Sequence, residues 1–374
     1  MSRILKLLTM LLIAAFVISG CAVKKTDPEK EVKEEVSESA ENALTEAAET
    51  EVKEKEAETA IEDPAETTVA ETTAEETEKQ EIKIMALSGP TGMGLAKLID
   101  DSEQGLTANS YQLSIAAAPD NLVAAATKGE ADILAMPSNL ASVLWNKTEG
   151  NFQVIAVNTL GVLYIVENGE TIQSIEDLKG KKVFASGKGA TPEYAFQYLL
   201  SEYGLSPEDV EIEWKAEHAE VVSAMTVEEN SIALLPQPFV TVASSNIENL
   251  RIAIDLNEAW SNLANDSAFV MGVMVASKDF LAENPEVTQA FLEEYASSVA
   301  YVNDNPSEGS KLVEKHQILE KAAVAEKAIP YCNIVCLTGA EMESALSGYL
   351  EVLFTANPQS VGGALPDETF YFKP

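Results

Sequence analysis

Histidine, cysteine and positive charge are all scarce in this chain of 374 residues, and each scarcity closes off a chemistry. Histidine occurs twice, as His218 and His316, without ligand spacing, so no zinc centre and no other metal site is expected. Cysteine occurs three times, as Cys21, Cys332 and Cys336. The last two stand in YCNIVCL, where an extended chain would hold them ~13 Å apart, too far for a disulfide. A helix there would allow only a strained bond, so two buried thiols are expected. Lysine and arginine number 25 against 61 aspartates and glutamates, for a net charge of −36. No basic stripe interrupts this acidity, which argues against a nucleic-acid partner. No nucleophile–base pair is apparent either, so no enzymatic activity is expected.

The amino terminus has Arg3 and Lys6 and then an apolar run over 7–18. That run is too short and too near the terminus for a comfortable membrane span, and residues 1–20 read as a secretory signal. The run leads into Ile18-Ser19-Gly20-Cys21, which resembles a bacterial lipobox. The resemblance implies cleavage before Cys21 and a lipid on its thiol, which would hold the chain to a membrane. Residues 22–81 then contain no aromatic side chain and carry 21 acidic against 7 basic ones. Such a segment buries too little apolar surface to offset chain entropy. With Cys21 it reads as a lipidated, disordered, self-repelling tether over 21–81. The remainder keeps a net charge of about −24, which reads as solubility rather than as a binding surface.

From residue 82 onward, short β-rich apolar runs alternate with helical stretches. Runs at 82–87, 112–117, 133–136 and 154–158 enclose helices near 95–101, 122–128 and 140–145. The pattern predicts an α/β sheet with parallel strands. It then repeats. A strand at 182–185 leads into SGKGATPEYAFQYLLSEYG, a second glycine-rich turn opening a helix, with Pro192 in its first turn and Gly204 near its end. Strands at 210–214 and 232–235 follow. Gly89 stands 48 residues before Pro137, and Gly187 stands 49 residues before Pro236, so the two halves run in register. Ligands of open α/β sheets bind beyond the carboxyl ends of the strands. Two facing lobes would therefore place two glycine turns and two proline turns around one cleft. Strands at 162–166 and 269–276 suit crossovers between the lobes, and the helices after residue 278 are expected to pack on the first lobe.

The segments LKGKKV, LLPQPFVTVA and GVMVASKDFLAENPEVTQAFLEEY, in that order and spacing, resemble the solute-binding proteins of nitrate/sulfonate/taurine-type ABC importers. The resemblance covers nearly everything after residue 82. It implies the type II periplasmic-binding-protein fold, with two α/β lobes joined by two crossover strands. Lobe one would comprise 82–165 and 265–374, and lobe two 166–264. It also implies a small-molecule ligand, permease and ATPase partners, a monomer, and no cofactor. With the lipid anchor, it implies a place at the extracytoplasmic face of a bacterial plasma membrane. A surface sensor or adhesin without transport is the alternative, and a pyrimidine-precursor enzyme on the same fold a more distant one.

The first turn, SGPTGMG, offers Ser88, Gly89, Thr91, Gly92 and Met93 as ligand contacts. It lacks the Gly-Lys-Ser/Thr ending of a P-loop and the GxGxxG order of a dinucleotide site. The second turn offers Lys188, Gly189, Ala190 and Thr191. The proline turns offer Ser138, Asn139 and Gln237. Thr159 lies near the first crossover, and His218 between a strand end and its helix. Helix N-termini at 92–95 and 189–193 would supply free N–H groups. With one lysine and no arginine in these turns, a small carboxylate or sulfonate and a neutral heterocycle fit about equally well. The three tryptophans read as packing, and His316 as a surface residue.

Overall fold

The computed structural model describes residues 79–373 apart from Ala117 and Asp266. The expected signal segment, the lipidation site Cys21 and the tether up to residue 78 lie outside the described residues.

The chain begins β1 (Glu81–Leu87), α1 (Pro90–Met93), α2 (Ala96–Glu103), β2 (Ser110–Ala116), α3 (Pro119–Lys128), β3 (Ile133–Pro137), α4 (Ser138–Lys147) and β4 (Phe152–Leu160). It continues β5 (Leu163–Glu167), β6 (Lys182–Ser186), α5 (Thr191–Glu202), β7 (Glu211–Lys215), α6 (His218–Val227), β8 (Ile232–Pro236), α7 (Phe239–Asn246), β9 (Arg251–Asp255) and α8 (Leu256–Ser261). The last part is β10 (Val270–Ser277), α9 (Lys278–Glu283), α10 (Pro285–Asp304), α11 (Pro306–Lys315), α12 (Ala322–Ala328), β11 (Ile334–Leu337) and α13 (Gly339–Ala356). Local chemistry accounts for many of these boundaries. In β1 the alternation puts Ile82, Ile84 and Ala86 inside and Lys83 outside. Proline opens α1, α3 and α10, where its missing N–H costs nothing, and Gly129 closes α3 in the left-handed conformation.

Two sheets result. The first runs β11-β4-β10-β3-β1-β2, and the second β7-β6-β8-β5-β9. Strands β1, β2 and β3 pair in parallel, as do β6, β7 and β8. The sheets are nonetheless mixed, which corrects the expectation of parallel strands. Strand β10 runs antiparallel to both β3 and β4, and β5 antiparallel to both β8 and β9. Both arrive from the other lobe without a crossover helix, so neither need follow the direction of its hosts. The expected boundary at 165/166 also moves. All of β5 pairs in the second sheet, so the chain leaves lobe one at Gly161 and Val162 and returns between α8 and β10.

One apolar cluster packs α1, α2, α10, α11 and α12 on one face of the first sheet. A second lies on the outer face of the second sheet. The largest draws on both sheets and on α13. At its centre the fully buried Trp260 stacks on Phe269 at 5.1 Å and meets Tyr349 at 5.4 Å. The expectation that the late helices pack on lobe one holds for α10 and α11, but α12 also lies against α7, and α13 against α5, of lobe two. There the Asn357 side chain donates to the Tyr194 hydroxyl at 2.7 Å. Cys332 and Cys336 are both free thiols. Cys332 is fully buried, while Cys336 is half-buried with its pKa pushed up to about 11 by burial.

Candidate functional site

At the end of β1, Gly89 takes φ 92°, a conformation open to glycine, and the chain turns at once into α1. The Asn158 side chain donates to the Thr91 carbonyl at 3.0 Å and fixes this turn to β4. At the end of β6, Gly187 takes φ 84° and leads to the extended Ala190 and then α5. Helix α4 starts directly after Pro137, and α3 and α6 start at Pro119 and His218.

These helix starts converge on one cavity of about 430 Å³ between the lobes. Lobe one contributes Pro90, Thr91, Pro119, Pro137, Asn139, Leu140 and Thr159, and lobe two Gly187, Ala190, Thr191, Pro192 and His218. Val162, at the first crossover, and Met271, on β10, complete the wall. No lysine, arginine, aspartate or glutamate lines it. Four prolines, Leu140, Val162 and Met271 give a largely apolar surface, and Thr91, Asn139, Thr159, Thr191 and His218 provide side-chain polar groups. This combination suits a small organic ligand held by shape and a few hydrogen bonds.

Several of those polar groups are already oriented. Thr159 donates to Asn158 Oδ1 at 3.1 Å, and Asn139 donates to the Ser360 carbonyl at 3.1 Å. His218 Nδ1 lies 2.5 Å from the Ser186 hydroxyl, which leaves Nε2 as the other polar ring atom. The ring also packs on Phe239 at 4.9 Å. Burial holds its pKa below the ordinary value of 6.5, against a smaller opposite influence from Glu217, so the ring is neutral at pH 7. In the second glycine turn, Glu193 accepts from the Gly189 N–H at 2.6 Å. A carboxylate therefore already occupies the position at the α5 N-terminus that the helix dipole would offer an anion.

Of the residues expected from sequence, the structure brings Thr91, Asn139, Thr159, Ala190, Thr191 and His218 to this cavity. The others lie elsewhere. The Ser88 hydroxyl and Gly89 N–H both donate to the Ile318 carbonyl, at 2.9 and 3.2 Å. Gly92 and Met93 are buried, and a Cβ on Gly92 would meet the Leu87 carbonyl oxygen at 2.8 Å. Ser138 is buried and donates to the Val270 carbonyl at 2.6 Å. Lys188 and Gly189 are exposed beside the cavity wall rather than in it. Gln237 accepts from Thr241 at 2.9 Å and lines a separate hollow with Lys327 and Tyr331. Three of the four expected turns thus meet at the cavity, and the second proline turn faces away from it. His316, read as a surface residue, has a side chain only 6% exposed.

The candidate contacts left out the prolines, Leu140, Val162, Gly187 and Met271. Pro119 had a usable signal: it follows Gly89 by 30 residues, as His218 follows Gly187 by 31. The internal register that joins the two glycine turns therefore also joins these two positions.

Residues 149–309 match the family described as NMT1/THI5 like. A protein of Brucella abortus (strain 2308) named as a binding protein is 23% identical over 185 residues, covering 50% of this chain and 56% of the relative. The chain thus spans about half the length of the curated relatives it matches. The crystal structure of an ABC transporter protein from Parabacteroides distasonis superposes with a TM-score of 0.66 at 25% identity, over 79% of this chain and 99% of the other. The periplasmic aliphatic sulphonate binding protein SsuA of Escherichia coli shares the fold, with a TM-score of 0.62 at 17% identity over 79% and 92% of the two chains. The chain thus shares the type II periplasmic-binding-protein fold of two α/β lobes with these solved structures.

Proposed function

We propose that this protein is a solute receptor of an ABC importer, held by a lipid on Cys21 at the extracytoplasmic face of a bacterial plasma membrane. It captures one small organic molecule between its lobes and presents it to a permease driven by an ATPase. It acts as a monomer, without enzymatic turnover, cofactor or nucleic-acid partner. The observation that carries this reading is the interlobe cavity, whose wall comes from both lobes and both crossovers and carries no charged side chain. That wall favours a neutral or weakly anionic molecule with an apolar body over a compact, strongly hydrated oxyanion such as nitrate or bicarbonate. Releasing such an oxyanion from water costs more than a few neutral donors return.

Thermal unfolding against a panel of sulfonates, oxyanions, carboxylates and uncharged heterocycles tests it. A specific ligand at 100 times its dissociation constant stabilises by about 2.7 kcal/mol, which raises the midpoint by several degrees. The expected result is a shift confined to one class of small organic molecule. A shift with nitrate or bicarbonate alone would overturn the reading of the wall. A panel without effect, on protein shown by mass spectrometry to carry no bound molecule, would overturn the receptor.

A further inference from the structure

Away from the interlobe cavity, the residues after α11 fold back at Gln317, where φ is 57°, and place His316 against α2. Its ring is nine-tenths buried and faces two carboxylates. Nε2 lies 3.9 Å from Asp100 Oδ1, and Nδ1 lies 3.7 Å from Glu103 Oε1. Neither separation is a hydrogen bond, and Nε2 is a buried polar atom without a partner. Such an atom is costly to bury and calls for an explanation. One potential ligand atom from each of the three residues falls within 4.8 Å of the others.

A cation already belongs at this place. The Lys315 ammonium bridges the two carboxylates, 2.6 Å from Asp100 Oδ1 and 2.8 Å from Glu103 Oε2. Its side chain is 48% exposed, so its long stem can carry the ammonium out into water. Gln104 donates to the other Asp100 oxygen at 2.7 Å and holds that carboxylate in place. Burial, partly opposed by the carboxylates, holds His316 below its ordinary pKa, in the neutral form that a metal requires.

We propose that Asp100, Glu103 and His316 form a site for a divalent ion of the zinc class, which displaces the Lys315 ammonium. One imidazole and two carboxylates match a borderline ion, whereas magnesium and calcium prefer oxygen alone. Zinc ligands at ~2.1 Å in a tetrahedron stand about 3.4 Å apart, so one imidazole nitrogen and two carboxylate oxygens, now within 4.8 Å of one another, draw together by up to about 1.4 Å when the ion binds. Three protein ligands leave a fourth position for water. The ligands come from α2 and from the residue after α11, far apart in the chain, which is why spacing along the sequence did not reveal them. Two residues beyond His316, the Ile318 carbonyl holds the turn that carries Thr91. The bound ion therefore braces α2 and the loop after α11 next to that anchor.

The test is a titration of the full chain with cobalt(II), read by its visible d–d absorption and followed by competition with zinc(II). That absorption separates an imidazole-containing site of low coordination number from the diffuse carboxylates of the acidic segment. One equivalent of cobalt is expected to bind with defined bands, to be displaced by zinc and to resist excess magnesium. His316→Gln is expected to weaken binding at least tenfold and to abolish the bands. Lys315→Gln, which removes the competing ammonium, is expected to tighten binding several-fold. Equal isotherms for the native chain and His316→Gln would overturn the site. So would unchanged or weaker binding in Lys315→Gln, a surface change independent of whether the histidine variant folds.

Discussion

His218 Nδ1 and the Ser186 hydroxyl stand 2.5 Å apart at the edge of the interlobe cavity, on the two parallel βα units of the second lobe. Ser186 ends β6 and His218 starts α6, so the contact pins the start of α6 to the strand on which it packs. Because burial depresses the histidine pKa, the unfolded chain takes up a proton near pH 6.5 while the folded chain does not. Stability is therefore full above that value and falls as pH drops through the depressed folded pKa. His218→Phe is expected to flatten the fall of the unfolding midpoint between pH 7 and pH 5.5 relative to the native chain. Parallel slopes for the two proteins would refute it.

The Thr191 hydroxyl stands at the first residue of α5 and in the cavity wall. Thr191→Val keeps its volume and removes the polar group. Once a ligand is found, its affinity should fall about fivefold, the equivalent of one neutral hydrogen bond of ~1 kcal/mol. Calorimetric titration of the two proteins with the same ligand measures this, and equal affinities would remove Thr191 from the contact set.

Gly272 of β10 lies directly against the residues that fix the first turn. A Cβ there would sit 2.5 Å from Asn158 Oδ1 and 3.1 Å from the Thr159 Cβ and Oγ1. Gly272→Ala must displace Asn158, and with it the hydrogen bond to the Thr91 carbonyl. The expected outcome is a destabilisation of about 1–3 kcal/mol, accompanied by weaker ligand binding. Denaturant unfolding checks the first part, and an alanine variant as stable as the native chain would contradict it.

Arg251 is the one arginine among the described residues, and it serves the fold rather than the cavity. Its guanidinium lies 2.5 Å from Glu167 Oε2, on a side chain only 1% exposed, and it also donates to the Gly169 carbonyl at 2.9 Å. Burial alone would raise the Glu167 pKa; hydrogen bonds from Thr171, Ile172 and Arg251 outweigh it and bring the pKa below its ordinary value of 4.5. The carboxylate thus contributes stability at neutral pH that disappears as pH falls through its folded pKa. Arg251→Met leaves it buried and poorly compensated, at a cost of about 3 kcal/mol. The acid limb of the stability curve should also move to higher pH, which chemical unfolding at a series of pH values would show.

The strands and the glycine turns were legible because their signals are local. Apolar alternation marks β1, and proline with glycine marks the ends of α3 and the start of α5. The internal register also gave the two-lobed plan and brought Thr91, Asn139, Thr191 and His218 forward. What local pattern could not supply was direction. The residues around Gln237 follow the same rule as those around Asn139, yet the Thr241 hydrogen bond and packing beside Lys327 and Tyr331 turn them to another hollow. Likewise nothing near β10 announces that it will run between β3 and β4. Its partners lie in a part of the chain separated from it by the whole second lobe, so its place depends on long-range pairing.

That insertion fixes an order of assembly. Residues 163–261 contain the entire second sheet as one unbroken stretch, so a chain emerging amino terminus first can complete that half early. The first half cannot. Until β10 emerges, β3 and β4 border an unfilled seam whose edges are the buried, apolar strands of the finished protein. For that interval the newborn chain carries a sticky gap in its older half and a finished younger one, which makes the seam the place where a holding chaperone would be needed most.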